Sequence, residues 1–204
     1  MAPGQHYFSE QPDTPSTPRT IRVRLPDVEL DLVADAGVFS GKQLDPGTRI
    51  LLRHAPPPPI EGDLLDLGCG YGPIALTVAR RNPDATVWAV DVNERALALV
   101  ERNAAAAGLD NVRACLPDQL PDPVRFAAIY ANPPIRIGKP ALHALLLRWL
   151  DRLTPDGTAW LVVQRNLGSD SLARWLVEQG YPTQRVHSER GYRILEVRPS
   201  EADG

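Results

Sequence analysis

The sequence predicts an α/β fold, a mostly parallel sheet of seven strands with helices on both faces. Two observations carry that prediction. From residue 63 onward, short apolar runs alternate with longer stretches of helical periodicity, and such alternation returns each new strand parallel to the last. The first of these strands runs directly into Gly68-Cys69-Gly70-Tyr71-Gly72, where alternate glycines permit a tight turn into the next helix. With 204 residues, 43% of them hydrophobic, the chain can bury the core of one such domain.

Taken in order, residues 1–18 are rich in Pro, Ser and Thr and are expected to be mobile. Residues 19–204 are expected to form a single domain, with an extension at 19–59 and the core at 60–204. Thr20-Ile21-Arg22-Val23-Arg24-Leu25 and Val28-Glu29-Leu30-Asp31-Leu32-Val33 each alternate in polarity around Pro26-Asp27, the pattern of a β-hairpin. A short helix follows Asp45-Pro46-Gly47, with Ile50, Leu51 and Leu52 as its apolar face, and Pro56 to Pro59 form a stiff spacer. Strands are expected at 63–67, 86–91, 112–115, 126–131, 158–164, 183–188 and 192–198. Helices are expected at 73–82, 94–107, 139–153 and 169–179, the first opened by Pro73 and the second closed by Gly108.

The glycine turn also points to a ligand. Without Cβ atoms, Gly68, Gly70 and Gly72 let the backbone approach a bound group closely. The spacing is G-x-G-x-G, and Pro73 stands where a dinucleotide fingerprint needs its last glycine, which disfavours an NAD-dependent oxidoreductase. Asp66 lies two residues before the first glycine, where a carboxylate opposes an ammonium group and repels a diphosphate. The strand Thr86-Val87-Trp88-Ala89-Val90 ends in Asp91, placed to hold ribose hydroxyls. Ammonium, ribose and adenine without phosphate describe S-adenosylmethionine.

A second motif adds an acceptor. Phe126-Ala127-Ala128-Ile129-Tyr130-Ala131 ends in Asn132-Pro133-Pro134-Ile135, which resembles the (N/D/S)-P-P-(aromatic) motif of class I methyltransferases that modify planar amines or amides. A conjugated amine is a poor nucleophile, so its N–H groups must be held by acceptors; the Asn132 side-chain oxygen and the Pro133 carbonyl supply them, and Pro134 helps stiffen the turn. The segments His6-Tyr7-Phe8-Ser9, Gly37-Val38-Phe39-Ser40 and Asp45-Pro46-Gly47-Thr48 are similar to signatures of the methyltransferase small domain family, whose short bacterial members share Asn132-Pro133-Pro134-Ile135-Arg136-Ile137-Gly138-Lys139.

That resemblance implies a Rossmann-like sheet with an antiparallel hairpin at its edge and methyl transfer to guanine N2 of small-subunit (16S) ribosomal RNA. It implies a cofactor site of Phe39, Ser40, Asp66, Gly68, Cys69, Gly70, Gly72, Asp91, Val92, Asp118 and Asn132. It further implies catalysis by Asn132, Pro133 and Pro134, and substrate contacts from Ile135, Arg136 and Lys139. Ile135 departs from the pattern, since many relatives carry an aromatic there that stacks on a flipped base. A protein glutamine amide, a small amine, or a non-catalytic cofactor-binding subunit are the competing readings.

The net charge of −3 gives no bulk attraction to nucleic acid, but residues 111–160 carry six basic against four acidic groups, consistent with a local basic rim beside Asn132 and a ribosomal RNA or small-subunit partner. Two cysteines and four histidines without ligand spacing suggest neither disulfides nor a metal site and fit a reducing cytoplasm. No run approaches ~18 apolar residues, so no membrane span is expected. Monomer and homodimer are both compatible with the sequence.

Overall fold

The computed structural model describes residues 14–59 and 61–200. The chain opens with an antiparallel ribbon, β1 (Arg19–Arg24) and β2 (Glu29–Ala34), registered from Arg19↔Ala34 to Arg24↔Glu29. Helix α1 (Pro46–His54) then leads into β3 (Asp63–Leu67), α2 (Pro73–Arg81), β4 (Val87–Val90), α3 (Glu94–Ala107), β5 (Val112–Cys115) and β6 (Phe126–Ala131). Helix α4 (Lys139–Leu150), β7 (Leu153–Gln164), α5 (Ser169–Glu178), β8 (Thr183–Glu189) and β9 (Tyr192–Val197) complete it. Helix boundaries follow local chemistry. Asp45 caps α1 by accepting from the Thr48 N–H at 2.9 Å, Asn93 caps α3 through Arg95 and Ala96, and Gly108 closes α3 in the left-handed region.

The seven-stranded sheet has the order β5-β4-β3-β6-β7-β9-β8, with β9 antiparallel to both neighbours and the other adjacent pairs parallel. The expected Rossmann-like sheet and its antiparallel edge are therefore present. Strand β7 starts earlier than its apolar run suggests. Leu153 pairs with Phe126 and Thr158 with Ala128, so the residues between bulge out. Gly157 sits at the end of that bulge, where a Cβ would lie 2.7 Å from the Phe126 carbonyl oxygen.

Period-two alternation divides the strands between two apolar layers. Leu64, Ala128, Tyr130, Trp160 and Val162 face one layer, shared with α1, α2, α3 and the β1–β2 ribbon. Leu65, Leu67, Ile129, Ala131 and Leu161 face the other, where Leu146, Trp149 and Leu176 of α4 and α5 are buried. Each fully buried aliphatic side chain contributes about 1.5–3 kcal/mol, so burial on both faces accounts for the near-continuous apolar strands.

The extension is tied to the core by polar contacts. Arg81 of α2 forms a two-pronged ion pair with Asp27 in the ribbon's turn, at 2.7 and 2.9 Å. Buried Asn103 of α3 accepts from the Val33 N–H at 2.8 Å and donates to the carbonyls of Val33 and Tyr71 at 2.9 and 3.0 Å. Ahead of the ribbon, the expected mobile leader divides. Residues 1–13 lie outside the described residues. Over 14–18 the chain is held by Asp35, which accepts from the Ser16 hydroxyl and Thr17 N–H, and by Arg95, which donates to the Thr14 carbonyl.

Asn103→Ala leaves one buried and two part-buried main-chain groups without their partner, so we expect a loss of about 2–4 kcal/mol in urea unfolding. A loss below about 1 kcal/mol would show that the ribbon is not anchored through this amide.

Candidate functional site

The site is assembled by strand register. Val90, Leu67 and Ala131 stand side by side across β4, β3 and β6, and the next residue on each strand is Asp91, Gly68 or Asn132. Between β3 and β6 the chain order of the sheet reverses, opening a crevice beyond the strand ends. Motifs distant in sequence thus meet because parallel strands end on one line.

A pocket at this edge is lined by Gly68, Cys69, Gly70 and Tyr71, by Pro73 and Ile74 at the start of α2, by Phe39 and Ser40, by Asp45 and Thr48 at the start of α1, and by Asn132. Phe39 is exposed although large and apolar, and Ser40 adopts a φ of +54° while its hydroxyl donates to the Gln43 carbonyl at 2.6 Å. A Cβ at Gly68 would meet no protein atom within 4 Å. That space belongs to the pocket, so a glycine here leaves room for a ligand. Gly72 answers a different need, since a Cβ there would collide with Leu76 and crowd Val100.

The carboxylates of the two strand ends have distinct places. Asp91 accepts from the Gly70 N–H at 2.9 Å and the Asn93 N–H at 3.0 Å, bracing the glycine turn from the side. Burial raises its pKa despite those bonds. Asp66 shares the orientation of Leu64, beneath α2, and does not line the pocket. It is 1% exposed; one oxygen accepts from the Ala75 N–H at 2.8 Å, and the other has no hydrogen-bond partner. Burial, with the Asp91 charge adding to it, pushes its pKa up to about 8. Burial likewise raises the thiol of Cys69 and the phenol of Tyr71, whose hydroxyl has no partner.

Asn132 donates its side-chain N–H groups to Asp45 Oδ1 at 2.7 Å and Thr48 Oγ1 at 3.1 Å. The following prolines form an inverse γ-turn: Pro134 has φ −76° and ψ 72°, and the Ile135 N–H donates to the Pro133 carbonyl at 2.8 Å. One lone pair of that carbonyl is therefore engaged and one is left.

The structure does not gather every candidate. Val92 is exposed beyond β4 and outside the pocket lining. The Asp118 side chain is 89% exposed, bonds Arg148 at 2.7 Å and lies outside the pocket lining. Ile135 packs partly against the α4 layer, while Arg136 and Lys139 are exposed on the rim. Asp45, Thr48, Tyr71, Pro73 and Ile74 are pocket residues outside the candidate set; Asp45 and Thr48 were visible as a helix start and as part of a family-like segment, without an assigned role.

Folding also joins two histidines that sequence spacing separates. The His54 and His187 rings stack at 3.8 Å, with Glu189 Oε2 3.0 Å from His54 Nε2 and 3.6 Å from His187 Nε2. The three ligand atoms lie within 4.8 Å of one another. Rings only 15° from parallel cannot both aim an in-plane lone pair at one ion, so the arrangement is that of a stacked pair on a carboxylate. Among the described residues no helix is long and apolar enough to cross a membrane.

The family described as methyltransferase small domain matches residues 29–196. The Bacillus subtilis protein named uncharacterized protein YbxB is 37% identical over 197 residues, covering 95% of this chain and 98% of its own length. Ribosomal RNA small subunit methyltransferase C of Shewanella loihica is 35% identical over 156 residues, 74% of this chain but 45% of the relative. The solved T. thermophilus 16S rRNA N2 methyltransferase, in complex with AdoMet and guanosine, superposes with a TM-score of 0.77 at 26% identity, over 92% of this chain and 52% of its own. The chain thus spans about half the length of the RNA methyltransferases it matches.

Asp66 supplies a pH test. Its folded pKa of about 8 lies above the unfolded value near ~4, so its stabilising contribution is complete below pH ~4 and is lost as pH rises through about 8. The stability difference between wild type and Asp66→Asn, followed by denaturant unfolding, should shift in favour of the variant across that window. A pH-independent difference would mean that Asp66 ionises freely.

Proposed function

The chain belongs to the methyltransferase small domain family, and on that premise we propose that it is an S-adenosylmethionine-dependent N-methyltransferase acting on guanine N2 of small-subunit ribosomal RNA in the cytoplasm. The observation that carries this reading is the single pocket shared by the glycine turn and Asn132. One wall suits a cofactor and the other an amine. The ribosomal RNA substrate is supported by the relatives whose names state it and by the exposed Arg136 and Lys139 on the rim, which suit phosphate contacts.

The residues present fit the cofactor. The space in front of Gly68 admits a bound group, and Asp91 keeps lone pairs for ribose hydroxyls. When bound, S-adenosylmethionine supplies a methyl group made electrophilic by its sulfonium. The chain's own share is orientation. The Asn132 oxygen and the free lone pair of the Pro133 carbonyl accept the N–H groups of the amine, turning its lone pair toward the cofactor side of the pocket. The nitrogen becomes acidic as it is methylated, so its proton passes to water and no strong base is needed.

A second reading has one observation in its favour. Ile135 is aliphatic and half-buried, so it offers no stacking face for a base, and a protein glutamine amide or small amine would not need one.

Gly68→Ala should lower S-adenosylmethionine affinity by tenfold or more in calorimetric titration while costing only about 1–2 kcal/mol of stability; undiminished binding would place the cofactor elsewhere. Asn132→Ala should cut turnover on the order of 100-fold with cofactor affinity preserved, and equal loss of both would contradict this division of labour. The substrate is tested with methyl-labelled cofactor and separated small subunits, large subunits, naked RNA and soluble protein. Label in small-subunit RNA that digests to N2-methylguanosine supports the proposal. Label confined to protein would favour the glutamine reading, and no label in any fraction would favour a cofactor-binding subunit.

A further inference from the structure

We propose that Asp45 is a positioning residue that fixes which way the Asn132 amide points. An asparagine amide has two ends of nearly the same shape and opposite hydrogen-bonding sense, and a half-turn exchanges donor for acceptor. Asp45 removes that freedom. Its carboxylate oxygen lies 2.7 Å from Asn132 Nδ2, and a carboxylate accepts but does not donate. Turning the amide over would press Asn132 Oδ1 against that oxygen, with no proton between them. The N–H groups are therefore committed to Asp45 and Thr48, and the amide oxygen is the end left for the acceptor.

The carboxylate is itself held in place by the fold. The oxygen that receives the Asn132 amide also accepts the Thr48 N–H at 2.9 Å as the cap of α1, so the helix start and the acceptor motif converge on one atom. Gly47 keeps that corner compact. A Cβ there would lie 2.9 Å from the Tyr192 ring and 3.0 Å from the same Asp45 oxygen. Asp45, Thr48 and Asn132 all line the pocket. The arrangement selects by chemistry: an acceptor that brings N–H donors meets a carbonyl oxygen, and one that brings only oxygen lone pairs is repelled. This inference rests on the N-methyltransferase reading, because only an N–H acceptor needs that oxygen presented.

The test separates capping from orientation. Asp45→Ser keeps a good helix cap but cannot reach Asn132, whereas Asp45→Asn keeps an oxygen at the original reach. The first readout is the side-chain amide resonance pair of Asn132, identified by its disappearance in Asn132→Ala. In wild type the Asn132 amide proton donated to Asp45 should exchange with solvent at least ~10-fold more slowly than in Asp45→Ser, and Asp45→Asn should restore the protection. The second readout is turnover. Asp45→Ser should lose roughly tenfold or more in kcat with KM and cofactor affinity unchanged, yet lose less than about twofold when Asn132 is already alanine. Asp45→Asn should recover most of the loss.

Equal losses in both backgrounds, or unchanged amide protection in Asp45→Ser, would overturn the proposal and leave Asp45 as a helix cap alone. If Asp45→Ser does not fold, Asp45→Gly, also tolerated at this cap, takes its place in every arm. If wild type transfers no methyl group to any amine, the N-methyltransferase reading falls, and the amide exchange rates still decide whether Asp45 holds Asn132.

Discussion

The line of paired residues Cys115, Val90, Leu67, Ala131 and Leu161, running across five parallel strands, is the constraint on which the site depends. Each pairing is set by main-chain hydrogen bonds and by the alternation that sends every second side chain into one of two apolar layers. A slip of one residue would turn a strand inside out, so burial of Leu65, Ile129 and Leu161 fixes the register as firmly as the hydrogen bonds do. Because the register is fixed, three chain segments leave the sheet abreast, and the residues that follow them share a crevice without any long-range polar contact having to draw them together.

What those residues do is then decided by burial. Asp91 follows β4 and Asp66 lies one residue before the end of β3, yet one braces the glycine turn while the other lies under α2 with an unanswered oxygen. Both carboxyls are shifted toward the neutral form by loss of water. Beneath the glycine turn, outside the pocket lining, lies a carboxyl whose charge is suppressed by burial. On the opposite wall the order is reversed: the Asp45 carboxylate, Thr48 and the Asn132 amide form a chain of directed bonds in which each polarity dictates the next.

Much of this was legible in the residues. The α2, α3 and α5 boundaries, the edge hairpin and the juxtaposition of the glycine turn with Asn132 all follow from local signals: Pro73, Asn93, Gly108 and Gly191, and the end of each apolar run. The β7 bulge was not legible: the strand was expected only from 158, and the pairing of Leu153 with Phe126 is what extends it back across Thr154 and Pro155. Asp45 was given no role at the site, because its partner Asn132 lies 87 positions away, a separation over which local sequence patterns carry no information. The four histidines showed no ligand spacing; the stack of His54 on His187 arises from packing α1 against the last hairpin. Asp118 had only family likeness behind it, and its partner is Arg148.

The bridge made by Asn103 bears on what counts as a unit in this molecule. Its amide holds the ribbon through Val33 and, with the same nitrogen, holds the carbonyl of Tyr71 in the middle of the glycine turn. The alternating strands and helices after residue 60 look like a module that could be cut out and grafted elsewhere. Severed from the ribbon, however, that module would lose apolar cover from one face of its sheet and one of the fastenings that shape its glycine turn. The part of this protein that can be transplanted with its chemistry intact therefore begins at β1, and the short ribbon belongs to the binding apparatus as much as the glycines do.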